Sequence, residues 1–201
     1  MDGIPDSMVI FISMGAWSVL HSWLACFSTK DMVQRLAGEG MRRYYRLIFV
    51  MVAVLTLVPI LAMVVFLPTR VLWMIPAPWL YLTLTLQGLA LIGLVITALQ
   101  VDTLAFIGLR QLRHPEAEQH NELVTRGFYR WVRHPLYFFS LILFWLFPYM
   151  TDLVLAFVIA GSLYFLIGTL PEEQKLLALY GEAYQQYQKD VPRIIPWLKI
   201  F

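Results

Sequence analysis

Two short stretches of the chain carry side chains whose types and spacing suit the binding of a charged small molecule. The first is RHPLY, residues 133–137, and the second is the acidic pair Glu172-Glu173. Pro135 favours the first turn of a helix, so Arg133 and His134 are predicted to lie just before a helix N-terminus. Such a terminus attracts anions, and the two basic side chains add positive charge. The first stretch is therefore a candidate seat for a carboxylate or a phosphate.

Both stretches also have a simpler interpretation. RHPLY fits an interfacial anchor, in which an arginine reaches the lipid headgroups and a tyrosine joins an aromatic belt. Glu172 follows Thr169 by three residues and Pro171 by one, which fits the capping box of a new amphipathic helix running to about Lys189. Glu173 points about 100° further round, where its carboxylate is suited to bind a ribose or a cationic ligand. The residues alone leave these alternatives open.

The elements that must position these residues are membrane helices. Of the 201 residues, 60% are hydrophobic and 14% are charged, whereas soluble domains are about half apolar and a quarter charged. The composition predicts an all-α integral membrane protein with one domain, 1–201. The last two apolar stretches are predicted to form a tight hairpin. The five stretches are approximately Met8–Phe27, Leu47–Leu67, Trp79–Leu99, Leu136–Met150 and Leu153–Leu170.

The distribution of Lys and Arg predicts the orientation. These residues concentrate in the loop after the first apolar stretch (30–46), in the loop after the third (110–133) and in the tail after the fifth (175–199). The opposite side carries only Arg70. The N-terminus is therefore predicted outside and the C-terminus in the cytosol. The basic residues are expected to flank the membrane and to contact lipid headgroups, and the formal net charge is only +2. No nucleic acid partner and no metal are expected, since the histidines also lack metal-ligand spacing.

Several motifs follow one another in the C-terminal part of the chain. They are LVTRGFY (123–129), VRHPLY (132–137), Glu172-Glu173, Tyr180-Gly181, Tyr184, Tyr187 and VPRIIP (191–196). In this order, over about residues 120–197, they resemble the signature of the isoprenylcysteine carboxyl methyltransferase family and its phospholipid methyltransferase relatives. HSWLA (21–25) and RYYRL (43–47) more loosely resemble the membrane region of the NnrU-like and methanethiol S-methyltransferase branches.

The resemblance implies an integral membrane methyltransferase that uses S-adenosylmethionine, in a prokaryotic inner membrane. It also implies that the cofactor lies between the RHPLY helix start and the C-terminal helix. By position in the motifs, the cofactor-binding residues are His134, Pro135, Tyr137, Glu172, Glu173, Tyr184, Tyr187 and Arg193.

The methyl acceptor is expected to be a lipophilic or small molecule that carries a carboxylate, a thiol or an amine. A carboxylate needs little acid–base chemistry, so catalysis comes mainly from holding the two reactants in line. A thiol or an amine needs a base, and Glu173 and His134 are the candidates. The alternative function is a non-catalytic membrane subunit or sensor of the NnrU-like type. Binding of the cofactor distinguishes the two.

Overall fold

The computed structural model of the protein describes residues 4–38, 40–101, 103–113 and 123–198. A short 3-10 helix covers Gly127–Arg130, and two strands occur, β1 (Val71–Met74) and β2 (Tyr149–Thr151). Within the described ranges the α-helices are α1 (Asp6–Leu24), α2 (Phe27–Ala37), α3 (Met41–Phe66), α4 (Trp79–Gln100), α5 (Thr103–Phe106), α6 (Leu109–Arg113), α7 (Pro135–Trp145), α8 (Asp152–Tyr180) and α9 (Glu182–Asp190).

Four of the described helices, α1, α3, α4 and α8, are long and apolar enough to cross a membrane. In the most apolar part of each of these helices, only 11% to 28% of the residues are buried inside the protein. Apolar surface on this scale is not left in water, so lipid must cover it. Helices also satisfy their own backbone hydrogen bonds, as a bilayer requires. The prediction of a helical integral membrane protein is confirmed.

The fourth predicted span contains the short helix α7. Its 11 residues rise about 16 Å, roughly half of the ~30 Å hydrocarbon core, so α7 cannot cross alone. A helix that ends in apolar surroundings leaves carbonyl groups without partners. One of these is satisfied by α4, because Gln87 Nε2 donates a hydrogen bond to the Leu143 carbonyl at 3.0 Å. The Trp145 indole N–H donates to Ser162 Oγ at 3.0 Å.

A two-stranded antiparallel sheet was not predicted. β1 pairs with β2 in the register Trp73↔Met150 and Met74↔Tyr149, with an irregularity between Val71 and Trp73. Each run is only three or four residues long, with a proline, Pro76 or Pro148, within two residues of it. The pairing joins segments far apart in the chain, which a local pattern does not reveal. The all-α class is confirmed, and this small sheet is an addition to it.

The packing divides the chain into two compact units. The first comprises residues 4–38, 40–70, 103–113 and 152–161, and the second comprises residues 71–101, 123–151 and 162–198. In the first unit α1 packs on α3. The Trp17 indole N–H donates to the Ala53 carbonyl at 3.1 Å, and the Tyr45 hydroxyl donates to the Leu24 carbonyl at 2.6 Å.

In the second unit α4 packs closely on α7, and two glycines allow this approach. A Cβ atom on Gly93 would lie 2.5 Å from the ring of Phe139. Gly127 has φ +63°, and a Cβ atom there would overlap the Gln100 side chain. The 3-10 helix therefore lies against the last residue of α4, which fixes the chain just ahead of RHPLY.

The last long helix does not end where the sequence analysis placed its end. α8 passes through Pro171 and continues to Tyr180, so the predicted helix start at Pro171 is wrong. The break lies at Gly181, which has φ +56°, a conformation that glycine adopts without steric cost. The amphipathic helix after this break, α9, is shorter than predicted. Both members of the acidic pair consequently lie on α8.

Candidate functional site

Helix α7 begins as the sequence analysis predicted. Pro135 is its first residue, and His134 precedes it with φ −121° and ψ 65°. Proline has no N–H to leave unsatisfied in a first turn and disfavours helical conformation in the residue before it. The chain therefore presents Arg133 and His134 side by side at the helix entrance.

The segment that follows α9 returns to this entrance and binds it through the backbone. The Arg133 N–H donates to the Pro192 carbonyl at 2.9 Å, and the His134 N–H donates to the Arg193 carbonyl at 3.0 Å. The seat for an anion that the sequence analysis inferred is thus partly filled by the chain itself. The carbonyls of Pro192 and Arg193 accept the hydrogen bonds of the two N–H groups just before α7.

Arg133 is buried and binds groups of its own protein. Its Nε donates to Glu173 Oε1 at 2.6 Å, and its Nη1 donates to the carbonyls of Gln188 at 3.0 Å and Val191 at 2.6 Å. Only 6% of its side chain is exposed, and a buried guanidinium is tolerated only when it is paired. The charge that the sequence analysis assigned to a ligand anion therefore balances Glu173 and ties α8 to the end of α9.

His134 lies between the two members of the acidic pair. Its Nε2 is 3.2 Å from Glu173 Oε1, and its Nδ1 is 3.5 Å from Glu172 Oε2. Burial alone lowers the pKa of His134, but the hydrogen bonds and charges of the two carboxylates outweigh it and raise the pKa above its usual 6.5. With a carboxylate at each ring nitrogen, the imidazolium form is favoured.

The two carboxylates have different surroundings. Glu173 also accepts a hydrogen bond from Gln188 Nε2 at Oε2, at 3.1 Å, and its side chain is 11% exposed. Glu172 accepts a hydrogen bond from the Tyr137 hydroxyl at 2.9 Å, and its side chain is 45% exposed. The capping role considered for Glu172 is wrong, because Thr169 donates backwards to the Leu166 carbonyl within α8. Glu173 is thus enclosed, whereas Glu172 is open.

Aromatic rings surround this cluster of charges. Tyr137 stacks on His134 with ring centroids 5.5 Å apart and on Phe165 at 4.8 Å. On the α9 side, Tyr187 lies edge-on to Tyr184 at 5.8 Å and donates its hydroxyl to the Tyr129 carbonyl. Ring faces of this kind attract cations, including a sulfonium.

Tyr184 is the most enclosed of these rings and has an unusual hydroxyl. The residue is 1% exposed, and its hydroxyl finds no hydrogen-bond partner among the described residues. Burial, followed by the charge of Glu173, raises the pKa of Tyr184, so the hydroxyl keeps its proton. A buried donor without an acceptor is costly, so this hydroxyl is suited to donate to a bound ligand or water.

A cleft of about 360 Å³ opens beside the cluster. Its lining includes Tyr187 and Val191, both of which also contact members of the cluster. Arg130 and Asp190 contribute one positive and one negative group. A volume of this size is within the range of small-molecule sites.

The structure brings most of the predicted site residues together. His134, Tyr137, Glu172 and Glu173 form one cluster at the start of the helix that Pro135 begins. Tyr184 lies near enough for the charge of Glu173 to act on its hydroxyl, and Tyr187 contacts the ring of Tyr184. Arg193 reaches the cluster through its carbonyl, and no contact of its side chain is found in the part of the chain that the structure describes.

The sequence analysis gave one residue of the cluster the wrong partner and missed another. Arg133 was assigned to a ligand rather than to Glu173, and Gln188 was not considered. The spacing contained a signal for Gln188, because it follows Tyr184 by four residues and therefore shares its face of α9. The partnership of Arg133 with the carbonyls after α9 had no such signal, since it depends on how the tail folds back.

Comparisons with known proteins support the resemblance seen in the motifs. A family model described as "Protein of unknown function (DUF1295)" matches residues 7–191. A methanethiol S-methyltransferase of Crocosphaera subtropica is 32% identical over 117 residues, which are 57% of this chain and 46% of the relative. Methanethiol S-methyltransferase 1 of Bradyrhizobium diazoefficiens is 33% identical over 135 residues, 65% of this chain and 47% of the relative.

A more distant relative carries the name of the family recognised in the motifs. The protein-S-isoprenylcysteine O-methyltransferase of Schizosaccharomyces pombe is 29% identical over 129 residues, 53% of each chain. The chain spans about half the length of these curated relatives. No solved structure matches it significantly. The resemblance to this group of membrane methyltransferases is confirmed.

Proposed function

Since the chain belongs to the family described as a protein of unknown function, DUF1295, and its relatives are named methyltransferases, we propose that it is an integral membrane methyltransferase that uses S-adenosylmethionine. The observation that carries the proposal is the cluster of Arg133, His134 and Glu173, with the buried Tyr184 hydroxyl beside it. A purely structural cluster has no need of a buried donor that lacks an acceptor.

The chemistry of these residues fits the cofactor. When bound, S-adenosylmethionine supplies a methyl group on a positively charged sulfur. The rings of Tyr137 and Tyr184 are suited to the sulfonium and the adenine, and the Tyr184 hydroxyl is suited to a cofactor atom that accepts a hydrogen bond. Pro135 holds the helix start, Glu173 and His134 hold each other in place, and Tyr187 and Arg193 border the site.

The chain's own contribution to the reaction is positioning and exclusion of water. The cluster is held by hydrogen bonds from three segments, namely the start of α7, the end of α8 and the region from α9 onward. A rigid, mostly buried site can hold two reactants in line without further reorganisation, which is the main requirement of a methyl transfer.

We propose a small thiol as the methyl acceptor. Two of the relatives described above are named for methanethiol. The most exposed carboxylate of the cluster, Glu172, repels an anionic acceptor and accepts a hydrogen bond from a neutral S–H group. A carboxylate acceptor, as the name of the Schizosaccharomyces pombe relative implies for that protein, is the less favourable choice for this site.

We also place the site at the cytosolic face of a prokaryotic inner membrane, with the N-terminus outside. The Lys and Arg residues concentrate in the loops on the side of RHPLY and in the tail, and such loops face the cytosol. Labelling of single cysteines introduced at Ser7 and at Lys189, with Cys26 replaced by serine, tests the orientation. The label should reach position 7 from outside and position 189 only after the membrane is opened.

Binding of the cofactor is the first test of the proposed function. Titration calorimetry of the detergent-purified protein should show saturable binding of S-adenosylmethionine and S-adenosylhomocysteine. His134→Ala and Glu173→Ala each remove a charged partner from the cluster, so we expect at least about tenfold weaker binding. Glu182→Ala, which changes an exposed acid on α9, is the matched control and should bind like the wild type.

Each variant is first shown by circular dichroism and gel filtration to remain folded. Absence of binding by a stable, monodisperse wild-type protein, in lipid nanodiscs as well as detergent, would contradict the proposal. It would favour the non-catalytic membrane subunit instead.

Tyr184→Phe tests whether the buried hydroxyl serves a ligand. The hydroxyl has no partner in the fold, so its removal should leave the free energy of unfolding unchanged or raise it by up to about 1 kcal/mol. Affinity for S-adenosylhomocysteine should fall by roughly 3- to 10-fold, the value of one hydrogen bond. Unfolding titrations and calorimetry on the same samples give the two numbers.

Tyr187→Phe provides the comparison, because its hydroxyl does have a partner in the fold, the Tyr129 carbonyl. This variant should lose about 1 kcal/mol of stability. If Tyr184→Phe loses as much stability as Tyr187→Phe, the Tyr184 hydroxyl is satisfied within the protein and the argument from it fails.

A further inference from the structure

We propose that Glu172 is the catalytic base of the reaction and accepts the proton of a thiol acceptor. The inference rests on the proposed function. It differs from the sequence analysis, which chose Glu173 and His134 for this role. The argument follows from which of the three groups has a free and accessible site for a proton.

Glu173 and His134 are both engaged. Glu173 accepts hydrogen bonds at Oε1 from Arg133 at 2.6 Å and at Oε2 from Gln188 at 3.1 Å, and it is 11% exposed. His134 has a carboxylate at each ring nitrogen, so its favoured form already carries both protons. A carboxylate enclosed by donors and an imidazolium without a free lone pair are poor acceptors for a substrate proton.

Glu172 has the opposite character. Its Oε2 accepts a hydrogen bond from Tyr137, whereas its Oε1 has no donor within the part of the chain that the structure describes. The side chain is 45% exposed, which is four times the exposure of Glu173. A second molecule can therefore reach one oxygen of Glu172 while the other oxygen keeps the carboxylate in place.

Glu172 lies among groups that attract its carboxylate or donate a hydrogen bond to it. His134 and Lys175 bring positive charge, and Tyr137 donates a hydrogen bond. The hydroxyls of Tyr164 and Tyr129 are close enough to interact electrostatically with the Glu172 carboxylate. Burial and the charge of Glu172 raise the pKa of Tyr129 to about 12, so this hydroxyl stays neutral and does not compete as a base.

The step balances in atoms and electrons. A lone pair on the thiol sulfur forms the new S–C bond with the methyl group, and the bond between that methyl and the sulfonium breaks with its electrons left on the departing sulfur. The departing molecule becomes the neutral thioether S-adenosylhomocysteine. The S–H proton passes to Glu172, which later releases it to solvent. The proton becomes strongly acidic as the S–C bond forms, so a carboxylate is a sufficient base.

Glu172→Gln tested against thiols of different acidity distinguishes a base from a structural residue. General base catalysis contributes about 10²- to 10⁴-fold. With ethanethiol, which is weakly acidic, we expect kcat/KM of the variant to fall by about 100-fold or more. With 4-nitrothiophenol, which ionises readily without help, the loss should be less than about 10-fold. The matched control is Glu182→Gln, which should behave like the wild type with both thiols.

A spectrum provides a readout that does not depend on turnover. The thiolate of 4-nitrothiophenol is coloured and its thiol form is not, so absorbance reports the ionisation of the bound probe. In the complex with S-adenosylhomocysteine, a carboxylate facing the sulfur favours the S–H form. Wild type should therefore require a higher pH than Glu172→Gln to colour the bound probe.

The outcomes separate this inference from the proposed function. Absence of cofactor binding or of methyl transfer to any thiol by the wild type overturns both. If the wild type is active, an equal loss with the two thiols, or no loss, overturns the role of Glu172 alone. An unchanged colour transition in the variant does the same. If Glu172→Gln does not fold, Glu172→Asp keeps the charge but shortens its reach, and it should show the same selective loss with ethanethiol.

Discussion

Replacing Arg133 by methionine is expected to lower the free energy of unfolding by about 3–5 kcal/mol, the usual cost of removing one partner from a buried ion pair. The guanidinium is 6% exposed and binds Glu173 and the carbonyls of Gln188 and Val191. Methionine fills similar space but leaves a mostly buried carboxylate and two carbonyls without their donor. Unfolding titration with SDS in micelles measures the loss.

A second substitution identifies the source of this loss. In Arg133→Met/Glu173→Gln the carboxylate is neutral, so the double variant should recover part of the stability that Arg133→Met loses. Arg126→Met, at an exposed arginine seven residues earlier, should change stability by no more than about 0.5 kcal/mol. A change this small in Arg133→Met itself would show that the cluster does not bind the tail to α7.

The sequence was most informative where a local rule had a single solution. Proline at position 135 favours the first turn of a helix, and α7 begins there. Apolar length predicted α1, α3, α4 and α8 as candidate spans for the same reason. Several residues that the motifs singled out, among them His134, Tyr137 and Glu173, also meet in the folded chain.

The sequence misled where two local rules competed or where the partner was distant. Thr169 and Pro171 suggested a helix boundary, but α8 ends at Tyr180, before Gly181, whose positive φ a glycine adopts without steric cost. Glu173 packs against Arg133 from a helix that continues past Pro171. This contact joins residues far apart in the chain, so no local sequence rule reveals it. Membrane helices tolerate proline when neighbouring groups satisfy the freed carbonyl. The pairing of β1 with β2 likewise depends on segments that meet only in the folded chain.

The contribution of His134 to stability is expected to depend on pH. Its pKa in the folded protein is raised above 6.5, because the carboxylates of Glu172 and Glu173 outweigh burial. A group with a raised pKa stabilises fully below its unfolded value, and the stabilisation is lost as pH rises through the folded value. At about pH 6, His134→Gln should therefore lose about 2–3 kcal/mol, since it removes hydrogen bonds to charged groups. The loss should shrink as pH rises through the raised pKa of His134 in the folded protein, above which the wild-type ring is neutral as well.

Melting temperatures of the wild type and His134→Gln, followed by tryptophan fluorescence in one buffer series, measure this dependence. The same series on Gln185→Ala provides the control, because this exposed residue of α9 carries no ionisable group. That variant should follow the wild type in its pH dependence. A difference between wild type and His134→Gln that is constant, or that widens as pH rises, would mean that His134 is neutral in the folded protein. In that case His134 has a free lone pair, and it returns as a candidate for the base in place of Glu172.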